Sequence, residues 1–267
     1  MLICLLLAAS CTVACVAEDA VPHDEGLGPS SSPDIIYQVS TLSALLEGVY
    51  NGSVSYGEVR EHGDFGVGCG DGLEGEMVLL DGSVYIIPYN GSAYQPSDDM
   101  TTPLSVVTFF APDDQFAIGG PTNLTQLNEA IAGRFPSTNL FYAIRVDGTF
   151  SYMKTRSIPR QTPPYPRLAE VVEQQSVFEW NGVNGTMVGI WCPEWAGAIN
   201  VAGFHFHFLD ENRTSGGHVL DLILDEGMVG IDTSHEYMLV LPSDPGYYTA
   251  DISTPLPHEV QMVEQAQ

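Results

Sequence analysis

Apolar and polar positions alternate with a period of two through most of the second half of the chain. Residues 177–180, 185–191, 201–209, 218–224, 227–233 and 236–241 each read as a strand on this alternation. Strands of this length and spacing predict a barrel-like or sandwich sheet. The first half mixes periods. Residues 40–48 predict a short helix with a Ser or Thr cap and a Gly stop, and 54–62 predict another helical turn or two. Strands follow at 77–80 and 83–88 about the turn Asp81-Gly82, then at 104–111. Residues 123–135 predict an amphipathic helix, and 141–146 with 149–155 a second hairpin turning at Asp147-Gly148. The proline-rich run 159–166 marks the boundary between two halves, residues 34–162 and 163–267. A last short helix is expected within 256–267, carrying Glu259 and Glu264.

The same alternation sets out candidate chemistry in residues 203–221, which hold three of the seven histidines. In Phe204-His205-Phe206-His207-Phe208, side chains two apart share a face, so His205 and His207 project together while the phenylalanines bury the other side. Residues 210–215 are polar and turn-forming, and Gly216-Gly217 lets the backbone return tightly. A hairpin there sets His218 across from His207. Three imidazoles then converge, as a catalytic zinc or similar divalent site requires. Two readings compete. The histidines could be structural, hydrogen-bonded strand residues. His-x-His followed by Glu211 also resembles the first cupin motif, but the second motif is absent and His218 comes too early to replace it.

Charge narrows the partners. The formal net charge is -26, with 34 acidic residues against 8 basic, and Lys154 is the only lysine. Such a surface repels nucleic acid and anionic membranes. Five basic residues gather at Arg145, Lys154, Arg156, Arg160 and Arg167, with Tyr152, Lys154 and Arg156 on one strand face. They form either a receptor for an anionic small molecule or a salt-bridged structural cluster.

The apolar run at residues 1–17 reads as an export signal, too short for a membrane span, with Cys11 or Cys15 as a candidate lipid-anchored residue. Residues 18–33 read as a disordered acidic tether. Beyond the signal only Cys69 and Cys192 remain, so no disulfide framework is implied. Asn-x-Ser/Thr triplets occur at Asn51, Asn90, Asn123, Asn184 and Asn212; three are Asn-Gly, which favours turns, and a glycan on Asn212, in the histidine hairpin, would crowd the metal site.

Five segments, Tyr37 to Leu46, His62 to Glu76, Phe141 to Gly148, Lys154 to Arg156 and Gly203 to Asp221, together resemble α-acetolactate decarboxylase in order and spacing. The resemblance implies an α/β (mixed α+β) fold in two parts, a mixed sheet with helices joined to a small C-terminal barrel. It implies decarboxylation of acetolactate (2-hydroxy-2-methyl-3-oxobutanoate) to acetoin, with a small-molecule substrate and room for a homodimer. His205, His207 and His218 match the family's zinc ligands, Glu76 and Arg156 its active-site glutamate and arginine, and Glu264 its second glutamate near the C-terminus. Cys69 stands where the family usually has threonine, a position by the substrate pocket.

Overall fold

The computed structural model describes residues 34–253 together with Glu259, Val260 and Val263. The expected export signal, the acidic tether, Cys11, Cys15 and Glu264 lie outside the described residues. The described chain runs β1 (Ile35–Val39), α1 (Leu42–Leu46), β2 (Val54–Ser55), α2 (Tyr56–Glu61), β3 (Phe65–Cys69), β4 (Glu76–Leu80) and β5 (Ser83–Ile87). It continues through β6 (Thr101–Thr102), β7 (Leu104–Thr108), β8 (Asp114–Asn123), α3 (Leu124–Ala132), β9 (Phe141–Ser157) and α4 (Leu168–Val172). It ends with β10 (Ser176–Cys192), β11 (Gly203–Asp210), β12 (Gly216–Ser234), β13 (Glu236–Val240) and α5 (Pro245–Thr249).

Mixed α and β structure, mostly sheet, is what the sequence led us to expect. The first sheet has the order β13-β1-β7-β3-β4-β5, with β13 parallel to β1 and its other pairs antiparallel. The second is antiparallel in the order β11-β10-β9-β12-β8, and β11 also pairs with β12. Strands are shared between the sheets without regard to residue 162: β8 and β9 lie in the second, whereas β13 joins the first. Ile36, Phe65, Val67, Val78 and Val106 of the first sheet pack against Ala143, Val188, Ile190 and Leu209 of the second, so one apolar layer joins the two.

Local chemistry explains most elements. Thr41 caps α1 by accepting from the Ala44 amide, and Ser55 does the same for α2. Asn123 and Gln126 form a reciprocal capping box at α3, whose Leu127 and Ile131 are fully buried. Asp81 and Gly82, at φ 52° and 74°, make the expected hairpin turn.

Asp147-Gly148 does not turn. It lies inside the seventeen-residue β9, paired with Thr186 and Gly185 on one side and Met228 and Gly227 on the other. A Cβ on Gly148 would fall 2.7 Å from the Glu226 carbonyl oxygen, so glycine is needed here for close strand approach. The strands expected at 177–180 and 185–191 likewise merge into β10, and those at 218–224 and 227–233 into β12, whose pairing is interrupted by register shifts.

Asp232 on β12 is an uncommon core residue, fully buried, with one carboxyl oxygen accepting from the Ala111 amide at 3.1 Å. Its other oxygen has no hydrogen-bond partner among the described residues. Burial, reinforced by Asp113, Asp34 and Asp64 and opposed by the Ala111 bond, raises its pKa to about 7. The folded state therefore holds a proton that the unfolded state releases near the ordinary value. Stability from this group is intact below about pH 4 and is lost as pH rises to about 7, a change on the order of a few kcal/mol. Asp232→Asn is expected to be more stable than the parent at pH 8 and to lose that advantage by pH 4. Thermal melts of the pair across this range check it; a constant difference would refute the assignment.

Candidate metal centre

Strand register builds the site. At one end of the second sheet Arg156 on β9 pairs with His218 on β12, and His218 pairs with His207 on β11. Directly paired residues share a sheet face with Cα atoms about 4.5–5.5 Å apart, so these three stand in one row. His205, two residues along β11, joins that face. The opposite face of β11 buries Phe206 and Phe208, at 4% and 0% exposure. Gly217 has φ 137°, and a Cβ there would lie 2.3 Å from the Arg156 carbonyl oxygen. Glycine thus lets β12 start against β9 and set His218 beside Arg156.

The first sheet supplies a second row. Cys69 on β3 pairs with Glu76 on β4 and with Leu104 on β7, and all three line the same pocket as the histidines. Gly68, Arg156 and Ile158 line it too. Apolar side chains form the rest of its wall: Leu42 and Leu45 of α1, Leu168 and Val172 of α4, and Leu73, Val201 and Val263.

The three imidazoles point their ring nitrogens at one another. His205 Nε2 lies 3.2 Å from His207 Nε2 and 3.2 Å from His218 Nδ1. One nitrogen from each ring falls within 4.8 Å of the others, and these three histidines are the grouping of at least three potential ligands found among the described residues. His207 Nδ1–H donates to the Met77 carbonyl oxygen at 2.7 Å, which fixes the tautomer and leaves its Nε2 with a lone pair. Burial and the Arg156 cation bring the His205 pKa down to about 3. Burial and the neighbouring His205 hold His207 well below the usual range, against the opposing effect of the Met77 bond. Neutral rings with converging lone pairs are the donor set a divalent metal needs, and these residues fit one.

Glu76 is buried, with Oε2 3.4 Å from His207 Nε2. Arg156 is 3% exposed, and its Nε and Nη1 have no hydrogen-bond partner among the described residues. A buried guanidinium with unsatisfied donors at a pocket wall is suited to an anion.

The other basic residues belong elsewhere. Arg145 pairs with Asp81 and Asp147, Arg160 with Asp71 and Glu74, and Arg167 with Glu47 and Glu259. Lys154 stands opposite Glu179 across β9 and β10. The cationic patch is therefore mostly a set of ion pairs with an excess of carboxylates, and Arg156 alone of the five lines the pocket. Sequence reasoning missed the Met77 carbonyl, since a backbone acceptor leaves no residue-type signal. It also left α4 unassigned, although Leu168, Val171 and Val172 have the i, i+3, i+4 spacing of a buried helix face.

Cys69 and Cys192 are both free, buried thiols. Burial, with the Glu76 charge next, pushes the Cys69 thiol far above its ordinary range, and its Sγ–H makes only a long 3.9 Å contact with the Leu104 carbonyl oxygen. It stays a neutral thiol outside the histidine cluster. Cys69→Thr is expected to keep metal content and to hold activity within a few-fold, since a hydroxyl can make the same contact. Thiol titration should find Cys69 unreactive with metal present or chelated, and reactive only on denaturation. Reaction triggered by chelation alone would place the sulfur on the metal.

Residues 36–254 match the sequence profile of the family described as alpha-acetolactate decarboxylase. The alpha-acetolactate decarboxylase of Methanosarcina mazei is 45% identical over 236 residues, covering 88% of this chain and 82% of that protein. The crystal structure of alpha-acetolactate decarboxylase from Bacillus subtilis strain 168 superposes with a TM-score of 0.84 at 37% identity, covering 86% of this chain and 99% of that one. A Staphylococcus aureus protein of unknown function, described as similar to alpha-acetolactate decarboxylase, superposes at 0.82 with 30% identity over 86% of this chain and all of its own. With profile, sequence and backbone in agreement over most of its length, the chain belongs to the alpha-acetolactate decarboxylase family.

Proposed function

We propose that this protein decarboxylates acetolactate to acetoin, using a divalent ion held by His205, His207 and His218. The observation that carries this reading is the meeting of three imidazoles, Glu76 and Arg156 in one pocket. A cupin-like metal site or a metal-free anion-binding module would each need only part of that set. Three imidazole donors suit zinc, the ion we assign.

Loss of carbon dioxide breaks the bond between the carboxylate and the hydroxyl-bearing carbon, and the electron pair flows into the adjacent carbonyl to give an enediolate. A divalent ion, when bound, supplies positive charge that draws this pair toward the substrate's oxygens. Arg156 presents its unsatisfied N–H groups to the substrate carboxylate or the developing oxyanion. Glu76, set beside His207, assists at the metal and is placed to carry a proton. Glu264 is the other acid–base candidate of this reading. The apolar wall from α1 and α4 keeps bulk water from the carbanionic carbon, so that protonation is left to a held carboxyl.

The test is direct. Purified protein incubated with acetolactate should release acetoin, lose this activity to a chelator and regain it on addition of zinc. Metal-replete protein that consumes no acetolactate would overturn the proposal. Export of the chain, through residues 1–17 with either plain secretion or a lipid anchor at Cys11 or Cys15, is part of the same reading and rests on the apolar leader pattern.

A further inference from the structure

Asparagine is sparse in this chain, with nine residues, and Ser and Thr make up roughly one residue in seven. Chance pairing would therefore produce about one Asn-x-Ser/Thr triplet, whereas five of the nine asparagines carry one. All five, Asn51, Asn90, Asn123, Asn184 and Asn212, are exposed. Of the four without such a triplet, Asn200, which donates to Gln38, is buried, Asn128 is half-buried, and Asn139 and Asn181 are exposed.

Turn chemistry does not account for the excess. Of the three triplets that begin Asn-Gly, only Asn90-Gly91 makes a turn, with φ 78° at Gly91 and its amide bonded to the Pro88 carbonyl oxygen. Asn184-Gly185 lies inside β10, where Gly185 pairs with both Gly148 and Asp210. Gly52 is not among the glycines with positive φ. Nor does Asn212 crowd the metal centre, as its sequence position suggested. It sits at the tip of the β11–β12 hairpin, beyond the end of β11 at Asp210, which strand rise alone sets about 10 Å from His207.

We propose that the exported protein is N-glycosylated at these exposed triplets; this rests on the export reading. The side-chain amide nitrogen of Asn bonds to the anomeric carbon of a lipid-phosphate-linked sugar. The bond from that carbon to the phosphate oxygen breaks, the lipid phosphate leaves with the electron pair, and the amide gives up one proton. The hydroxyl two residues on is what a membrane-bound transferase reads. At Asn123 Oδ1 is used in the α3 cap, and Nδ2, the reacting atom, appears in none of the hydrogen bonds of that capping box, whereas Nδ2 of Asn51 donates to Asp244 and that of Asn184 to Glu211, surface contacts that a sugar would replace.

The experiment takes the protein from the cells that make it and examines, by mass spectrometry, its N-terminus and the peptides spanning the five asparagines. The expected result is an N-terminus processed beyond residue 10 and sugar-bearing peptides at these sites. The variants Ser92→Ala and Thr125→Ala should lose the sugar at Asn90 and Asn123 alone, with acetoin formation unchanged. A processed chain with five bare asparagines would overturn glycosylation and leave export standing. An unprocessed chain with bare asparagines would overturn both.

Discussion

His207→Ala is expected to abolish metal binding and to leave acetoin formation at background. Three protein ligands leave none to spare, and His207 is the most constrained of them: its ring is tied to the Met77 carbonyl, and its Nε2 faces both His205 and Glu76. Loss of one ligand weakens a three-donor site by orders of magnitude, and alanine also leaves the Met77 carbonyl without its donor. Metal analysis after dialysis, paired with a turnover assay at saturating zinc, checks both consequences. The control is His207→Gln, which can keep a contact near Met77 but offers no imidazole. Full metal occupancy in either variant would remove these histidines from the ligand set.

Arg156→Lys separates charge from geometry. Lysine keeps the positive charge but has one donor centre on a flexible stem, whereas guanidinium presents a planar fork. Arg156 Nε and Nη1 have no hydrogen-bond partner among the described residues, so their worth is realised with an anionic substrate. Removal of a preorganised charge-stabilising contact of this kind costs about 10²–10³ in rate. Turnover of Arg156→Lys should fall by that order with zinc content unchanged, since Arg156 is no ligand. Near-normal turnover would make the residue a packing element of β9.

The histidine cluster was legible because a hairpin obeys two-residue alternation with few exceptions. Phe204 to Phe208 sets the faces, Gly216-Gly217 sets the return, and the pairing of His207 with His218 follows. Arg156 and Glu76 stood out by their match to family motifs, and register explains why they meet the histidines. Strand length was not legible. Asp147-Gly148 has the composition of a hairpin turn, and only the crowding by β12 shows why a glycine belongs in the middle of β9. The ion pairs of Arg145 with Asp81, of Arg160 and of Arg167 were equally hidden, since those carboxylate partners lie tens of residues away in sequence; only Asp147, two residues from Arg145 on the same strand, is a local partner. β13 read as one more strand of the second half, but its partner β1 is at the other end of the chain.

That last pairing has a kinetic consequence. Ile35 registers with Glu236, so about 200 residues must be in hand before the edge of the first sheet can close. Closing a loop this long is entropically costly, and the pairing places completion of the first sheet after nearly all of the chain has been synthesised. β3, β4 and β7, which carry Cys69, Glu76 and Leu104, can pair among themselves earlier because their connections are local. β1, next to the edge in the complete sheet, gains its outer neighbour β13 last. An incomplete chain therefore presents β1 unpaired on one side, which makes that edge the place where a stalled or truncated product would associate with others.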